Sequence, residues 1–336
     1  MKDKILGCLL AAAAGDAMGA ATETRTRKQI EEKFGGYVTE FLAPPPDTFA
    51  RGNEPGQITD DFSVAYMTCE EILRNNGEIT TETAKKALMD WSDIDCYFTR
   101  FAGPTTRAAI IELKGGSVMR PEGFKVVNDN EKATNGAAMK TAPIALFSKG
   151  DIDKAIKDCI TVCAVTHPNN IALSGAAAVA AATAAALAPD ASIYTVVQAG
   201  LYGAAEGDRI GRRDYNTVAG ASIEKRIRFA VQLATLAGDL NKAIDDIGDY
   251  IGSGLMASEA VPAAFGLIVA AKGDTVKAIE AAVNIGNDTD TVATIVGGMV
   301  GALNGVSSMP DEWLLLMEKA NEITLSKMAD EIWKLG

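Results

Sequence analysis

The stretch that most constrains the fold is Asn284–Gly305, NIGNDTDTVATIVGGMVGALNG. Short polar residues at 288–291 lead into an apolar run that is dense in glycine, and this pattern signals the N-terminus of a helix. Because each glycine costs a helix interior about 1 kcal/mol relative to alanine, the glycines indicate close approach of a neighbouring helix. The stretch therefore predicts a thin, buried helix over Asp288–Leu303, whose first turn presents two carboxylates and a hydroxyl.

A second stretch of the same character lies far upstream. Thr59, Asp60 and Asp61 lead into the apolar segment Phe62–Arg74. One explanation is helix capping, since N-cap positions favour Ser, Thr, Asp and Asn. Capping needs one such residue, however, and each of these two helix starts has at least three. Four carboxylates and two threonines would instead suit a divalent cation that prefers oxygen ligands.

The rest of the chain is predicted to be helical with short connections. Besides the two segments above, the predicted helices are Met1–Ala14, Thr24–Lys33, Thr80–Trp91, Pro104–Leu113, Asn135–Phe147, Asp151–Val165, Asn169–Leu187, Ser192–Ala205, Ser222–Ala237, Asn241–Ile251, Ser258–Ala271, Thr275–Val283 and Asp311–Ala320. Residues 43–57 are predicted to form a loop, residues 116–131 to be irregular, and Arg209, Arg212 and Arg213 to form a solvated basic loop. Without β alternation or a repeat of solenoid period, we predict one all-α domain over residues 1–336, a single compact multi-helix bundle.

Charge and cysteine content narrow the functional classes. The net charge of −12 argues against a nucleic-acid backbone or an anionic membrane as the general partner. Five scattered cysteines and a single histidine argue against a Cys/His zinc site, and reduced thiols fit the cytoplasm. The first 14 residues resemble a signal peptide, but Asp3 interrupts its basic region, so we interpret them as a core helix. No apolar run approaches the roughly 20 residues that span a bilayer. We expect a monomer.

Five motifs, in order along the chain, resemble those of the ADP-ribosylglycohydrolase family, which includes the dinitrogenase-reductase-activating glycohydrolases. They are Gly7–Glu23 (GCLLAAAAGDAMGAATE), Gln57–Asp61, Asn135–Leu146 (NGAAMKTAPIAL), Thr166–Pro168 and Asn284–Gly305. The third resembles the family's phosphate-loop motif, which commonly has arginine where Lys140 stands. Two residues depart from the family pattern: Asn287 replaces a usual second glycine, and Phe62 replaces a usual threonine.

The resemblance implies a function and a set of site residues. It implies an all-α bundle of the ADP-ribosylglycohydrolase type that holds two divalent cations, Mg²⁺ or Mn²⁺, and hydrolyses the bond at the anomeric carbon of an ADP-ribosyl group. ADP-ribose would be released from a modified protein or a small acceptor. Asp61 or Glu23 would steer the water or the leaving group. The implied metal ligands are Thr59, Asp60, Asp61, Asp288, Asp290 and Thr291, and the implied substrate-binding residues are Asn135, Gly136, Ala137, Met139 and His167.

Several of these residues also have ordinary structural explanations. Asn135 can be read as a helix cap, and His167 as a cap on the carbonyls at a helix C-terminus. Asp16 is either a turn former or a carboxylate that supports the metal ligands from behind. Two alternative functions are a related metal hydrolase of another nucleotide or sugar-phosphate, and a catalytically silent binding protein on the same fold.

Overall fold

The computed structural model describes residues 1–117 and 130–335, apart from the side chain of Glu131. In these residues the chain forms seventeen α-helices, four short 3-10 helices and three isolated β-bridges. The α-helices are α1 Lys2–Gly19, α2 Arg27–Phe34, α3 Asp60–Arg74, α4 Thr81–Ser92, α5 Asp95–Phe101, α6 Pro104–Leu113, α7 Thr141–Ala145, α8 Ile152–Cys163, α9 Asn170–Ala186, α10 Ile193–Asp214, α11 Ile223–Leu236, α12 Leu240–Tyr250, α13 Ala257–Ala270, α14 Thr275–Val283, α15 Thr289–Asn304, α16 Asp311–Asn321 and α17 Leu325–Lys334. The predicted all-α class is confirmed.

The helices α1 and α15 run antiparallel in backbone contact. A Cβ atom built on Gly297 would lie 2.1 Å from the Ala11 carbonyl oxygen, and one on Gly15 would lie 2.2 Å from that of Ala293. Glycine therefore allows the two backbones to touch, as the sequence predicted. Residues 289–303 of α15 are all buried. The antiparallel arrangement brings the C-terminal end of α1 to the N-terminal end of α15.

The hydrophobic core draws on both ends of the chain, from Ile5 in α1 to Ile332 in α17. Its interior is rich in alanine: in α9, all residues from Asn170 to Ala186 except Ala185 are buried. Small side chains allow close helix packing, because the distance between helix axes depends on the side chains at the contact. Among the described residues, no helix has the length and apolarity required to cross a membrane.

One predicted helix was wrong in detail, and two helices were missed. Asn135–Phe147 is not one helix but a 3-10 turn at Asn135–Ala137, the short α7, and a second 3-10 turn at Leu146–Ser148. Pro143 lies within α7 and cannot donate a backbone hydrogen bond. The helices α5 and α17 were not predicted. Most of the segment expected to be irregular, residues 118–129, lies outside the described residues.

The predicted basic loop is also wrong, because α10 continues through it to Asp214. Arg209 pairs with Glu206 at 2.6 Å, and Arg212 pairs with Asp208 at 2.7 Å, at helical spacings of three and four residues. Such pairs stabilise an exposed helix face by a few tenths of a kcal/mol each. The opposite face of the same segment packs on α9, where a Cβ atom on Gly211 would lie 2.4 Å from Asn170 Cα.

Candidate metal centre

Carboxylates from distant parts of the sequence meet where the end of α1 faces the start of α15. Carboxylate oxygens of Glu23, Asp288 and Asp290 lie within 4.8 Å of one another. Glu23 is half-buried, whereas Asp288 and Asp290 are each 6% exposed. The pKa values of Asp60 and Asp61 are raised in part by Asp288, so the start of α3 lies beside the same cluster.

The turn before α15 brings Glu23 to this cluster. Thr24 N–H donates to the Asn287 carbonyl at 2.7 Å, and Asn287 N–H donates to the Arg25 carbonyl at 2.7 Å. Asn287 has φ +64°, a left-handed conformation that asparagine adopts more readily than most residues. Asparagine can therefore replace the usual glycine here without loss of the turn.

Asp288 does not cap the helix that it precedes. Its side chain makes no capping bond to α15, a helix that lies wholly within the described residues. Instead, one of its oxygens accepts a hydrogen bond from Asn135 Nδ2 at 2.5 Å. The Thr291 side chain also lies near the Asp288 carboxyl group. Simple capping therefore does not explain Asp288. The Asn135 side chain donates a hydrogen bond to this carboxylate instead of capping a helix.

Thr59 does act as a cap, as the alternative interpretation predicted. It is the N-cap residue of α3, and its Oγ1 accepts from Asp61 N–H at 3.4 Å. Asp61 itself is buried, with Oδ2 3.3 Å from Thr59 Oγ1. The other oxygen, Oδ1, is buried without a hydrogen-bond partner among the described residues. A buried carboxylate oxygen in this state is costly unless a further group binds it.

The pKa values of the crowded carboxyl groups are raised well above their usual range. Burial and the charge of Asp288 raise the pKa of Glu23 to about 8. Burial and Asp16 raise the pKa of Asp60 to about 8. Burial and neighbouring carboxylates also raise the pKa values of Asp61 and Asp290 well above the usual range. Without a cation, the cluster therefore carries less than its full negative charge at neutral pH.

The predicted substrate-binding residues form a second group next to Asp288. Gly136 touches the His167 ring, since a Cβ atom on Gly136 would lie 3.1 Å from His167 Nε2. His167 is 1% exposed, and its two ring nitrogens lie 2.9 Å from Thr134 Oγ1 and 2.7 Å from Thr166 Oγ1. The ring is thus held by two threonine hydroxyls.

Two further members of that group are in the core. Ala137 is fully buried, and Met139 is 7% exposed and packs with Val64 and Trp91. Phe62, the departure from the family pattern in α3, is fully buried in the main core, 6.3 Å from the ring of Tyr66. The Phe62 side chain therefore belongs to the packing of α3.

Two contacts at the site had no signal in the sequence. The bond from Asn135 to Asp288 joins residues 153 positions apart. Thr22 and Thr289, whose hydroxyl oxygens lie 3.0 Å apart, fix the junction of α1 and α15, where Thr289 also donates to the Gly19 carbonyl at 2.9 Å. Only the folded chain brings these pairs together.

An all-helical chain with a buried cluster of oxygen donors at the starts of two helices fits one known class. The model of the ADP-ribosylglycohydrolase family matches residues 1–336. The chain therefore belongs to the ADP-ribosylglycohydrolase family.

Individual relatives agree with this assignment. The chain is 27% identical over 335 residues to YegU of Escherichia coli (strain K12), a match that covers 99% of this chain and 97% of that protein. It is 26% identical over 340 residues to the ADP-ribosylarginine hydrolase Tri1 of Pseudomonas putida (strain GB-1), covering 98% and 78% of the two chains. A solved structure titled "ADP-ribosylglycohydrolase-related protein complex" shares the fold, with a TM-score of 0.68 at 21% identity and coverage of 99% and 98%.

Proposed function

We propose that this protein is a metal-dependent hydrolase that cleaves the bond at the anomeric carbon of an ADP-ribosyl group and releases ADP-ribose. The observation that carries the proposal is the convergence of Glu23, Asp288 and Asp290 beside an Asp61 oxygen without a partner among the described residues. Family membership supports the ADP-ribosyl substrate. The domain would span residues 1–336 and act as a cytoplasmic monomer without general affinity for nucleic acid or membranes.

The donor set fits hard divalent cations. Every candidate ligand offers oxygen, which Mg²⁺ and Mn²⁺ prefer over softer donors. A cation would also neutralise carboxylates that otherwise repel one another in a buried site. We propose two ions held by Thr59, Asp60, Asp61, Asp288, Asp290 and Thr291.

Two carboxyl groups are candidates for proton transfer. When bound, divalent ions would supply Lewis-acid stabilisation and a water of lowered pKa. Glycosidic cleavage also passes through a positively charged, oxocarbenium-like centre, which nearby carboxylates stabilise. Glu23 is half-buried at the edge of the cluster and Asp61 is buried within it. Either one would steer the water or protonate the leaving group.

The diphosphate of the substrate would lie against the turn at Asn135–Ala137. Burial lowers the pKa of His167, and Lys140 and Lys132 lower it further, so two positive charges lie near this turn. They favour an anionic ligand on an otherwise acidic protein. His167 supports the turn from beneath Gly136. Ala137 and Met139 would contribute through their backbones, because their side chains are buried.

The linkage is open to a direct experiment. Tri1 is named for ADP-ribosylarginine, so arginine-linked ADP-ribose is the first substrate to assay, alongside serine, asparagine, acetyl-ester and nucleic-acid linkages. Release of ADP-ribose would be measured by chromatography with Mg²⁺, with Mn²⁺ and with chelator. We expect release from at least one linkage, only with a divalent cation. Release that is equal in chelator would contradict the proposal.

A further inference from the structure

We infer that Asp16 is a positioning residue: its carboxylate takes the hydrogen of the Thr59 hydroxyl and thereby turns the Thr59 oxygen lone pairs toward the cation site. The inference rests on the proposed function, because it concerns Thr59 as a cation ligand. It assigns Asp16 no direct contact with cation or substrate.

Asp16 is completely buried in α1 and faces the start of α3. Its Oδ1 accepts from Thr59 N–H at 3.1 Å and from Thr59 Oγ1 at 2.8 Å. Its Oδ2 accepts from Thr59 N–H at 2.9 Å and from Phe62 N–H at 3.0 Å. Three hydrogens therefore point at this carboxylate, those of Thr59 N–H, Thr59 Oγ1–H and Phe62 N–H, and the Thr59 N–H is shared between the two oxygens. These contacts hold Asp16 against the start of α3.

The direction of the Thr59 hydroxyl hydrogen follows from these contacts. A hydroxyl has one hydrogen and two lone pairs. Two carboxylate oxygens compete for the hydrogen, Asp16 Oδ1 at 2.8 Å and Asp61 Oδ2 at 3.3 Å. The shorter contact goes to Asp16, because hydroxyl-to-carboxylate bonds of good geometry are short.

The direction of the hydroxyl hydrogen affects both proposed ligands, Thr59 and Asp61. If the hydrogen pointed at Asp61, it would occupy a carboxylate oxygen that we propose as a cation ligand. With the hydrogen on the Asp16 side, one Thr59 lone pair faces Asp61 N–H at 3.4 Å and the other is available. Both oxygens of Asp61 are then also free of the hydroxyl hydrogen. Residues that orient metal ligands in this way are part of the metal site.

The test is Mn²⁺ binding to the full-length protein by isothermal titration calorimetry at pH 7.5. Asp16→Asn keeps the size of the side chain but presents an N–H₂ group to Thr59 Oγ1, which redirects the hydroxyl hydrogen toward Asp61. We expect Mn²⁺ affinity to fall about 10- to 100-fold, the usual effect of losing a partner that orients a ligand. Asp158→Asn, which alters a buried carboxylate paired with Lys154 in α8, serves as the matched control and should bind like wild type.

A double-mutant cycle distinguishes orientation from simple capping of α3. Thr59→Val removes the hydroxyl but keeps the backbone N–H that bonds to Asp16. If Asp16 acts through the hydroxyl, the Asp16→Asn/Thr59→Val double variant should bind Mn²⁺ within about threefold of Thr59→Val alone, because residues in contact do not act additively. Losses that multiply, or an Asp16→Asn protein that binds like wild type, would overturn the inference.

The remaining outcomes also give an answer. A wild-type protein that binds no Mn²⁺ removes the metal site and this inference together, whereas failure of the variants alone leaves the proposed function intact. Circular dichroism reports whether each variant is folded. Should Asp16→Asn not fold, Asp16→Glu, which displaces the carboxylate by one methylene, replaces it in the cycle with the same two outcomes.

Discussion

Asp288 and Thr59 occupy equivalent positions at the starts of α15 and α3 but use their side chains differently. Thr59 caps its helix and is itself bonded to Asp16. Asp288 makes no cap on α15, whose residues are all described, and faces Asn135 and the other carboxylates instead. Residue type alone does not separate these roles, because both residues are common caps. The difference comes from what the rest of the fold places opposite each side chain.

Loss of Asp290 should abolish ADP-ribosyl hydrolysis while the protein stays helical. Changes to residues that merely support a ligand cost about 10- to 100-fold in metal affinity or activity, so we expect Asp290→Ala to lower turnover by more than about 100-fold. Asp274→Ala is the matched control: Asp274 is an N-cap that accepts from Lys277 N–H at 3.0 Å, outside the acidic cluster. It should keep near-normal turnover. Near-normal turnover in Asp290→Ala at saturating Mn²⁺ would rule out Asp290 as a ligand.

Enlarging Gly136 should weaken ADP-ribose binding. A side chain at this position would meet the His167 ring at 3.1 Å, so the turn must shift away from the position that we propose for the diphosphate. Calorimetric titration of Gly136→Val with ADP-ribose should show about a tenfold higher Kd, equivalent to about 1.4 kcal/mol. His167→Ala provides space for the side chain, so adding Gly136→Val to it should cost less than in wild type. An unchanged Kd in Gly136→Val would separate this turn from ligand binding.

At the scale of whole elements, the glycines that join α1 to α15 should be far less replaceable than other helical glycines. Gly297→Ala would place a methyl group 2.1 Å from the Ala11 carbonyl oxygen. Overpacking of this kind typically costs 1–3 kcal/mol, and occasionally more, so we expect a loss of about 3 kcal/mol in the free energy of unfolding. Denaturant unfolding would measure it.

Gly248 in α12 is the matched control for that substitution. A Cβ atom there would make an ordinary contact at 3.7 Å with Ile285. Gly248→Ala should therefore raise the free energy of unfolding by about 0.5–1 kcal/mol through helix propensity alone. Equal effects of the two substitutions would mean that the backbone contact between α1 and α15 does not limit stability.

Elements with a clear apolar period or a polar start were predictable from sequence. The buried α15 and α9 follow from glycine- and alanine-rich runs. The pattern of α17, with Leu325, Met328, Ala329 and Ile332 buried one turn apart, also carried a readable signal that the prediction missed. By contrast, α5 has only seven residues and buries none of them, so no period marks it. The last turns of α10 carry exposed ion pairs and buried glycines that pack against α9, rather than an apolar period.

The sequence predicts which residues supply oxygen donors to the site, but it does not predict how these residues are arranged in space. The motifs single out Asp288 and Asp290, because several oxygen donors at one helix start exceed what a cap needs. The proximity of Glu23 depends on the paired backbone bonds between Thr24, Arg25 and Asn287. Such long-range contacts have no local sequence pattern.

Over the whole molecule, the clustered carboxyl groups should make the cation-free protein less stable as pH rises. The folded-state pKa values are raised to about 6 for Asp16 and about 8 for Glu23 and Asp60, compared with about 4 in an unfolded chain. The folded state then binds more protons, so this contribution to stability is full below about pH 4 and is lost as pH rises through these values. Each such group contributes a slope of up to about 1.4 kcal/mol per pH unit.

Thermal melting in chelator between pH 5 and pH 8 would measure this loss. The Asp60→Ala/Asp290→Ala double variant removes two of the crowded carboxylates and should show a shallower decline than wild type. Parallel declines in the two proteins would assign the effect to the net charge of −12 rather than to the cluster.

Divalent cations should reverse that instability. An ion that binds only the folded state stabilises it by about 2.7 kcal/mol at one hundred times its Kd. With an unfolding entropy near 2.1 cal/mol/K per residue, a chain of 336 residues should melt roughly 4 °C higher. The gain should be larger at pH 8 than at pH 5, because protons compete with the cation for Glu23 and Asp60.

Melting would be recorded after chelation, with Mg²⁺, Mn²⁺ or Na⁺ at matched ionic strength. Wild type and Asp274→Ala should respond to the divalent ions alone, and the Asp60→Ala/Asp290→Ala protein should respond much less. An equal shift in all three proteins would indicate general screening and remove the metal centre on which the proposed function depends.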